Sequence, residues 1–102
     1  MDKKHHQLLD EKIINEAVSM FRAVADPTRL QLLHLLSEEE CSVNHIADIL
    51  EMNQSAVSHQ LRTLRQAHLV RTRRDGHYIY YSCNDEHVIT LIDQAITHAK
   101  HE

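Results

Sequence analysis

The chain has 102 residues, 42% of them hydrophobic and 25% charged, with a net charge of −4; this suffices for one compact domain and not for two. No stretch is long and apolar enough for a membrane span, and the opening MDKKHHQLLDEK lacks the apolar core of a signal peptide, so a cytoplasmic protein is expected. Two distant cysteines, Cys41 and Cys83, outside any CxxC pair, predict reduced thiols rather than a disulfide framework, whereas ten histidines are an unusual supply of metal-ligand side chains.

Residues 1–10 read as a flexible polar tail and residues 11–102 as one folded unit. From Glu11 to Ala25 the apolar residues recur at helical spacing (Ile13, Ile14, Ala17, Val18, Phe21, Val24). Asp26-Pro27 marks a restart, with Asp26 placed to cap and Pro27 suited to the first helical position. The helix that follows is leucine-rich on most sides, ends near Ser37, and is expected at the centre of the core. Glu38-Glu39-Glu40 reads as a solvated connector. Ser42 can cap a short helix with Val43, Ile46, Ala47, Ile49 and Leu50. After the turn Glu51-Met52-Asn53, Asn53 can cap another, from Gln54 to about His68. Two short helices joined by a tight turn form a helix-turn-helix pattern. Val70–Arg74 and His77–Cys83 are β-rich and flank Asp75-Gly76, a two-residue hairpin signal. A last helix runs from about Asp85 to Lys100. The order α-α-α-α-β-β-α, mainly α with a β-hairpin, is that of a winged helix-turn-helix.

Charge is unevenly spread along this order. Between Met52 and Tyr81 there are five arginines and one acid, a net +4, and the rest of the chain carries −8. A basic stripe on an acidic body is the footprint of a DNA reader. In the segment Gln54–Arg65, Val57, Leu61 and Leu64 share one face and are expected to pack inward. Gln54, Ser55, Ser58, His59, Arg62 and Arg65 are left outside, and Gln60 belongs to the same recognition segment. Hydroxyls and amides can approach base edges and phosphates there, while arginines hold the backbone. At the hairpin tip Arg73, Arg74 and His77 are placed to reach an adjacent groove or phosphate. One such unit offers few contacts, so a homodimer on a palindromic operator is expected. A solvated hairpin and a helix-turn-helix with no DNA role are the plain alternatives.

The terminal helix carries an apolar stripe, Val88, Leu91, Ile92, Ala95 and Ala99, that needs a partner. Its two ends carry metal-ligand residues: Asp85 and His87 at the start, His98 and His101 at the finish. His87 and His98 differ by only about 20° around the axis but lie roughly 16 Å apart along it, so one helix cannot join them. Two terminal helices packed antiparallel across a two-fold axis would bring each start beside the other's end. Two four-ligand sites would result, each with three imidazoles and one carboxylate, a set that suits zinc and accepts cobalt. The same four residues also make ordinary solvent-facing helix ends, the two C-terminal histidines complementing the dipole.

The stretch QSAVSHQLRTLRQAHLVRTRRDGHYIYYS, preceded by ADPTRLQLLHLLS, resembles the ArsR/SmtB metalloregulatory repressors, and the similarity runs from about Ala17 to His101. With Asp85-x-His87 joined to His98-x-x-His101, the chain looks most like the zinc-sensing CzrA/SmtB branch. The resemblance implies a homodimeric winged-helix repressor released from its operator by metal, so that efflux or sequestration genes are expressed. It also implies that Asp85, His87, His98 and His101 form the site for Zn(II), with Co(II) accepted and Ni(II) a weaker candidate. Relatives with a thiolate site carry a CxC pair where this chain has Ser42-Val43-Asn44, and Cys41 is one position out of phase. Nickel-sensing relatives add ligands from their tails, for which His5 and His6 are available. Ligating imidazoles usually donate their second N–H to a carbonyl, so the backbone at His68 is an expected acceptor for His98, coupling sensor helix to reading head.

Two rival readings remain. One is a thiol redox repressor using Cys41 and Cys83; the other is a zinc-stapled dimerisation module with no DNA role. An enzyme is the least expected reading, since the sequence shows no glycine-rich phosphate loop and no nucleophile–base set, and the expected metal site has no open position.

Overall fold

A computed structural model describes residues 6–101. Five helices and three strands follow in the order α1 (Glu11–Val24), α2 (Pro27–Glu38), β1 (Cys41–Ser42), α3 (Val43–Leu50), α4 (Gln54–Gln66), β2 (Val70–Asp75), β3 (Tyr78–Cys83) and α5 (Glu86–Lys100). His5 lies outside the described residues, and His6 is exposed ahead of α1.

Every helix starts on a side-chain oxygen. Asp10, Asp26, Ser42, Asn53 and Asp85 accept from backbone N–H groups in the first turns of α1 to α5 in that order. Pro27 occupies the first turn of α2, where its missing N–H costs nothing. The ends of α3 and α4 close without glycine. Glu51, at the end of α3, takes φ 54°, and the N–H of Met52 bonds the Ala47 carbonyl at 3.0 Å. After α4, His68 takes φ 60°, its N–H bonds Arg65 O and that of Leu69 bonds Leu64 O, both at 3.0 Å. This is the Schellman closure, and it ends α4 at Gln66, two residues before the expected His68.

The hairpin pairs Val70 with Cys83 through to Asp75 with Tyr78. The two-residue loop is therefore Gly76-His77, one residue later than the expected Asp75-Gly76. Gly76 holds φ +62° while His77 does not enter positive φ, the pattern of a II′ turn with glycine first. A third strand, β1, joins the two that the sequence leads one to expect. Cys41 and Ser42 pair antiparallel with Tyr81 and Tyr80, so the sheet runs β1-β3-β2 and ties the start of the helix-turn-helix to the wing.

Leu32, Leu33 and Leu36 of α2 are buried at the centre, with Ile46 of α3 and Val57, Leu61 and Leu64 of α4 around them. The expected stripe on α5 divides. Val88 and Ile92 are buried, with Ile89 and Ile96 half-buried beside them, whereas Leu91, Ala95 and Ala99 stay exposed. On α1 only Ala23 is buried; Ile13, Ile14, Val18 and Phe21 are 39–60% exposed. Among the described residues no helix is long and apolar enough to cross a membrane.

Candidate functional site

The amphipathic α4 has its inner face sealed: Val57 and Leu64 are fully buried and Leu61 nearly so. On the other face Gln54, Ser55, Ser58, His59, Arg62 and Arg65 are exposed. Gln60 departs from that group. It is half-buried, and its Oε1 accepts from a terminal guanidinium nitrogen of Arg29 at 3.0 Å. Arg29 Nε also donates to the Ala23 carbonyl at 2.6 Å, so this one side chain pins α4 to the start of α2 and the end of α1. Nothing in the local sequence around Arg29 signals that role, since its partner lies 31 residues away.

On the wing, Arg73 and Arg74 differ. Arg73 forks onto Glu40, with Nε and Nη2 to carboxylate oxygens at 2.7–3.2 Å, and its guanidinium lies 4.9 Å from the centre of the Tyr80 ring. Hydrogen bonding to Arg73 holds the Glu40 carboxyl below the ordinary carboxylate range and the guanidinium above its own. Arg74 is exposed and, among the described residues, has no ion-pair partner. His77 is exposed in the turn. Glu40 is thus one acid of the connector that has a specific partner, which the run Glu38-Glu39-Glu40 read as solvated surface did not reveal.

The start of α5 is a tight cluster. One Asp85 oxygen, Oδ1, accepts from the N–H groups of His87 and Val88 at 2.9 and 3.2 Å and lies 3.3 Å from His87 Nδ1. The Val88 N–H foremost, with the His87 imidazole and N–H, holds the Asp85 carboxyl below its ordinary value. Oδ2 faces only the Asn84 amide, at 3.5 Å. The helix cap therefore uses one oxygen of the carboxylate, Oδ1, and leaves Oδ2 outside it. At the far end His98 and His101 are exposed, joined through the backbone, His101 N–H to His98 O at 3.1 Å. The structure brings Asp85 and His87 together and keeps both from His98 and His101 within one protomer. Within one protomer α5 packs on α2 and β3, while His68 is exposed and lines a shallow pocket with Asn15, Glu16 and Met20 of α1.

Cys41 and Cys83 are free and buried, and burial pushes both thiols up to about 11. Thiols so held carry almost no thiolate at neutral pH, the form an oxidant attacks.

Residues 26–72 match the profile described as "Bacterial regulatory protein, arsR family". The chain is 43% identical to the HTH-type transcriptional regulator NmtR of Mycobacterium tuberculosis over 91% of its own length and 78% of that protein's. It is 42% identical to the transcriptional repressor SmtB homolog of Synechocystis, over 81% of this chain but only 63% of that one. With the cadmium resistance transcriptional regulatory protein CadC homolog of Staphylococcus aureus it shares 35% identity, over 83% and 71%. Among solved structures it superposes, with a TM-score of 0.83 and 30% identity, on a homodimeric winged helix-turn-helix DNA-binding domain from Mycobacterium bovis, covering 97% of this chain and 86% of that one. All four are named as regulators or DNA-binding domains, none as an enzyme.

Proposed function

The chain belongs to the arsR family of bacterial regulatory proteins, and on that premise we propose that it is a homodimeric transcriptional repressor that grips a palindromic operator and lets go when Zn(II) or Co(II) binds α5. The observation that carries the DNA reading is α4, whose apolar face is sealed while its amide, hydroxyl and arginine face stands open. In this reading Gln54, Ser55, Ser58 and His59 approach the bases, Arg62, Arg65 and Arg74 hold phosphates, and His77 adds a contact from the wing. Gln60 acts from behind, by setting the pose of α4 through Arg29. Arg73 reaches DNA only on leaving Glu40.

The donor set on α5 fits a borderline divalent cation. Asp85 Oδ2 is available beside His87, and His98 and His101 are open on the same helix. We assign the site to Asp85 and His87 of one protomer with the two terminal histidines of its partner; the spacing along α5 denies it to one chain alone. Nitrogen and oxygen donors of this kind suit Zn(II) and Co(II). A bound cation there would supply a tie between protomers. Held together in that way, the α5 helices bias the dimer towards an arrangement that fits DNA less well, a coupling of about 1–3 kcal/mol sufficing for a useful switch. In the proposed assembly the His98 imidazole, once ligating, would offer its second N–H to the backbone at His68. The genes released would be those of metal efflux or sequestration.

Fluorescence anisotropy on a palindromic duplex tests this: the metal-free protein binds, and Zn(II) weakens binding 5- to 150-fold, the range of that coupling. Unchanged affinity with the α5 site filled sinks the switch. Removal of the metal with a chelator restores binding, and metal affinity falls in acid because imidazoles must be neutral to ligate.

The thiol redox reading is weaker, since both sulfurs are buried and their pKa values stand high.

A further inference from the structure

A second group of donors lies far from α5 in the fold. Among the described residues, Glu39, Cys41 and His45 are the one set of three metal-ligand side chains whose donor atoms all lie within 4.8 Å of one another. Three separate pieces of backbone fix them. Glu39 ends α2, its N–H bonded to Leu35 O at 3.1 Å. Cys41 sits in β1, paired with Tyr81. His45 stands in the first turn of α3, its N–H held by the Ser42 cap at 3.3 Å.

The charges around this group single out one acid. Of the three consecutive glutamates, Glu38 lies 3.2 Å from His34 and Glu40 is held by Arg73. Among the described residues Glu39 has no ion-pair partner, and it faces the Cys41 sulfur and the His45 ring instead. The group is one-sided: the sulfur is buried at the floor, while the carboxylate and the imidazole are exposed at the mouth. A cation can enter from solvent and keep water in its remaining position.

We propose that Glu39, Cys41 and His45 form a second cation site, independent of α5, that takes a thiophilic divalent cation, Cd(II) first and Zn(II) second, through one carboxylate oxygen, the Cys41 sulfur and one His45 nitrogen. With ordinary zinc bond lengths, tetrahedral donors stand roughly 3.5 Å apart, so the donors must close by at most about 1.3 Å. Two of the three side chains are exposed, so solvent and not packing surrounds them. Binding replaces the S–H bond of Cys41 by a metal–sulfur bond and releases that proton to solvent. A buried thiol yields its proton to a soft cation and not to magnesium or calcium, which sets the class of ligand. Through β1 the cation would fasten the start of α3 to β3 of the wing, giving the reading head an input separate from α5.

The test uses the full-length chain with the α5 donors removed (Asp85→Asn, His87→Ala, His98→Ala, His101→Ala), titrated with CdCl2 while the near-ultraviolet thiolate-to-cadmium charge-transfer band is followed. One Cd(II) per protomer is expected, with the band abolished by Cys41→Ser and kept in Cys83→Ser. Because Cys41 is buried and its replacement can disturb folding, the exposed variants Glu39→Gln and His45→Ala carry the decision. Each should weaken binding at least tenfold with an unchanged circular dichroism spectrum. Absence of the band in the chain lacking α5 donors overturns the proposal, as does full affinity after Glu39 and His45 are both replaced.

Discussion

At the scale of single residues, two left-handed positions frame the recognition helix. Glu51 and His68 hold φ 54° and 60°, where a side chain with a Cβ costs about 1–2 kcal/mol relative to glycine. Glycine brings back part of that as lost chain entropy, so Glu51→Gly and His68→Gly should each gain about 1 kcal/mol in urea unfolding. A loss on either replacement would mean the side chain contributes contacts not evident in the fold. On the proposed metal reading, Asp85 carries two tasks, capping α5 and ligating the cation. Asp85→Asn keeps an oxygen on the Val88 N–H and should leave helicity unchanged while weakening metal binding tenfold or more. Asp85→Ala should lose metal and also loosen the start of α5, seen as faster amide exchange at His87 and Val88. Equal exchange in both variants would contradict the division between Oδ1 and Oδ2.

At the scale of elements, the helices were legible because their signals are local. Asp26-Pro27, Ser42 and Asn53 each stand within three residues of the N–H they cap, and the apolar period does the rest. β1 was not legible: two residues carry no period, and their partners Tyr80 and Tyr81 lie about forty positions on. The wing latch was hidden for the same reason, since Arg73 and Glu40 are 33 residues apart. The pattern on α5 predicted one stripe; the structure splits it because α2 and β3 take Val88 and Ile92, leaving Leu91 and Ala95 facing away. Inequality of the two wing arginines makes a measurable difference. On the proposed DNA reading, Arg74→Gln should flatten the log affinity against log salt slope by about one per protomer, the loss of one phosphate contact. Arg73→Gln should change it less, and Glu40→Gln should steepen it by freeing Arg73. Equal slopes for the two arginine variants would show that the latch opens on DNA without cost.

At the scale of the molecule, the radius of gyration is 16.1 Å, against about 13 Å for a compact chain of this length. Along α1, Ile13, Ile14, Val18 and Phe21 stand open on one protomer. A homodimer through α1 and α5 would cover that face. Phe21→Glu should then yield a monomer by sedimentation, with operator binding lost. A dimer that survives this change would place the interface elsewhere. Both proposed metal sites and the DNA face belong to residues that the sequence supplied, but only the α5 set announces itself by spacing; Glu39, Cys41 and His45 meet because β1 turns the chain between α2 and α3. The Glu40–Arg73 pair has a kinetic consequence for the assembled repressor. On the proposed DNA reading the wing brings its own counterion to the double helix, so at Arg73 an encounter with random sequence would swap a carboxylate for a phosphate and gain little attraction. Dwell times off target would then shorten, and the search along the chromosome would be spent moving rather than stuck.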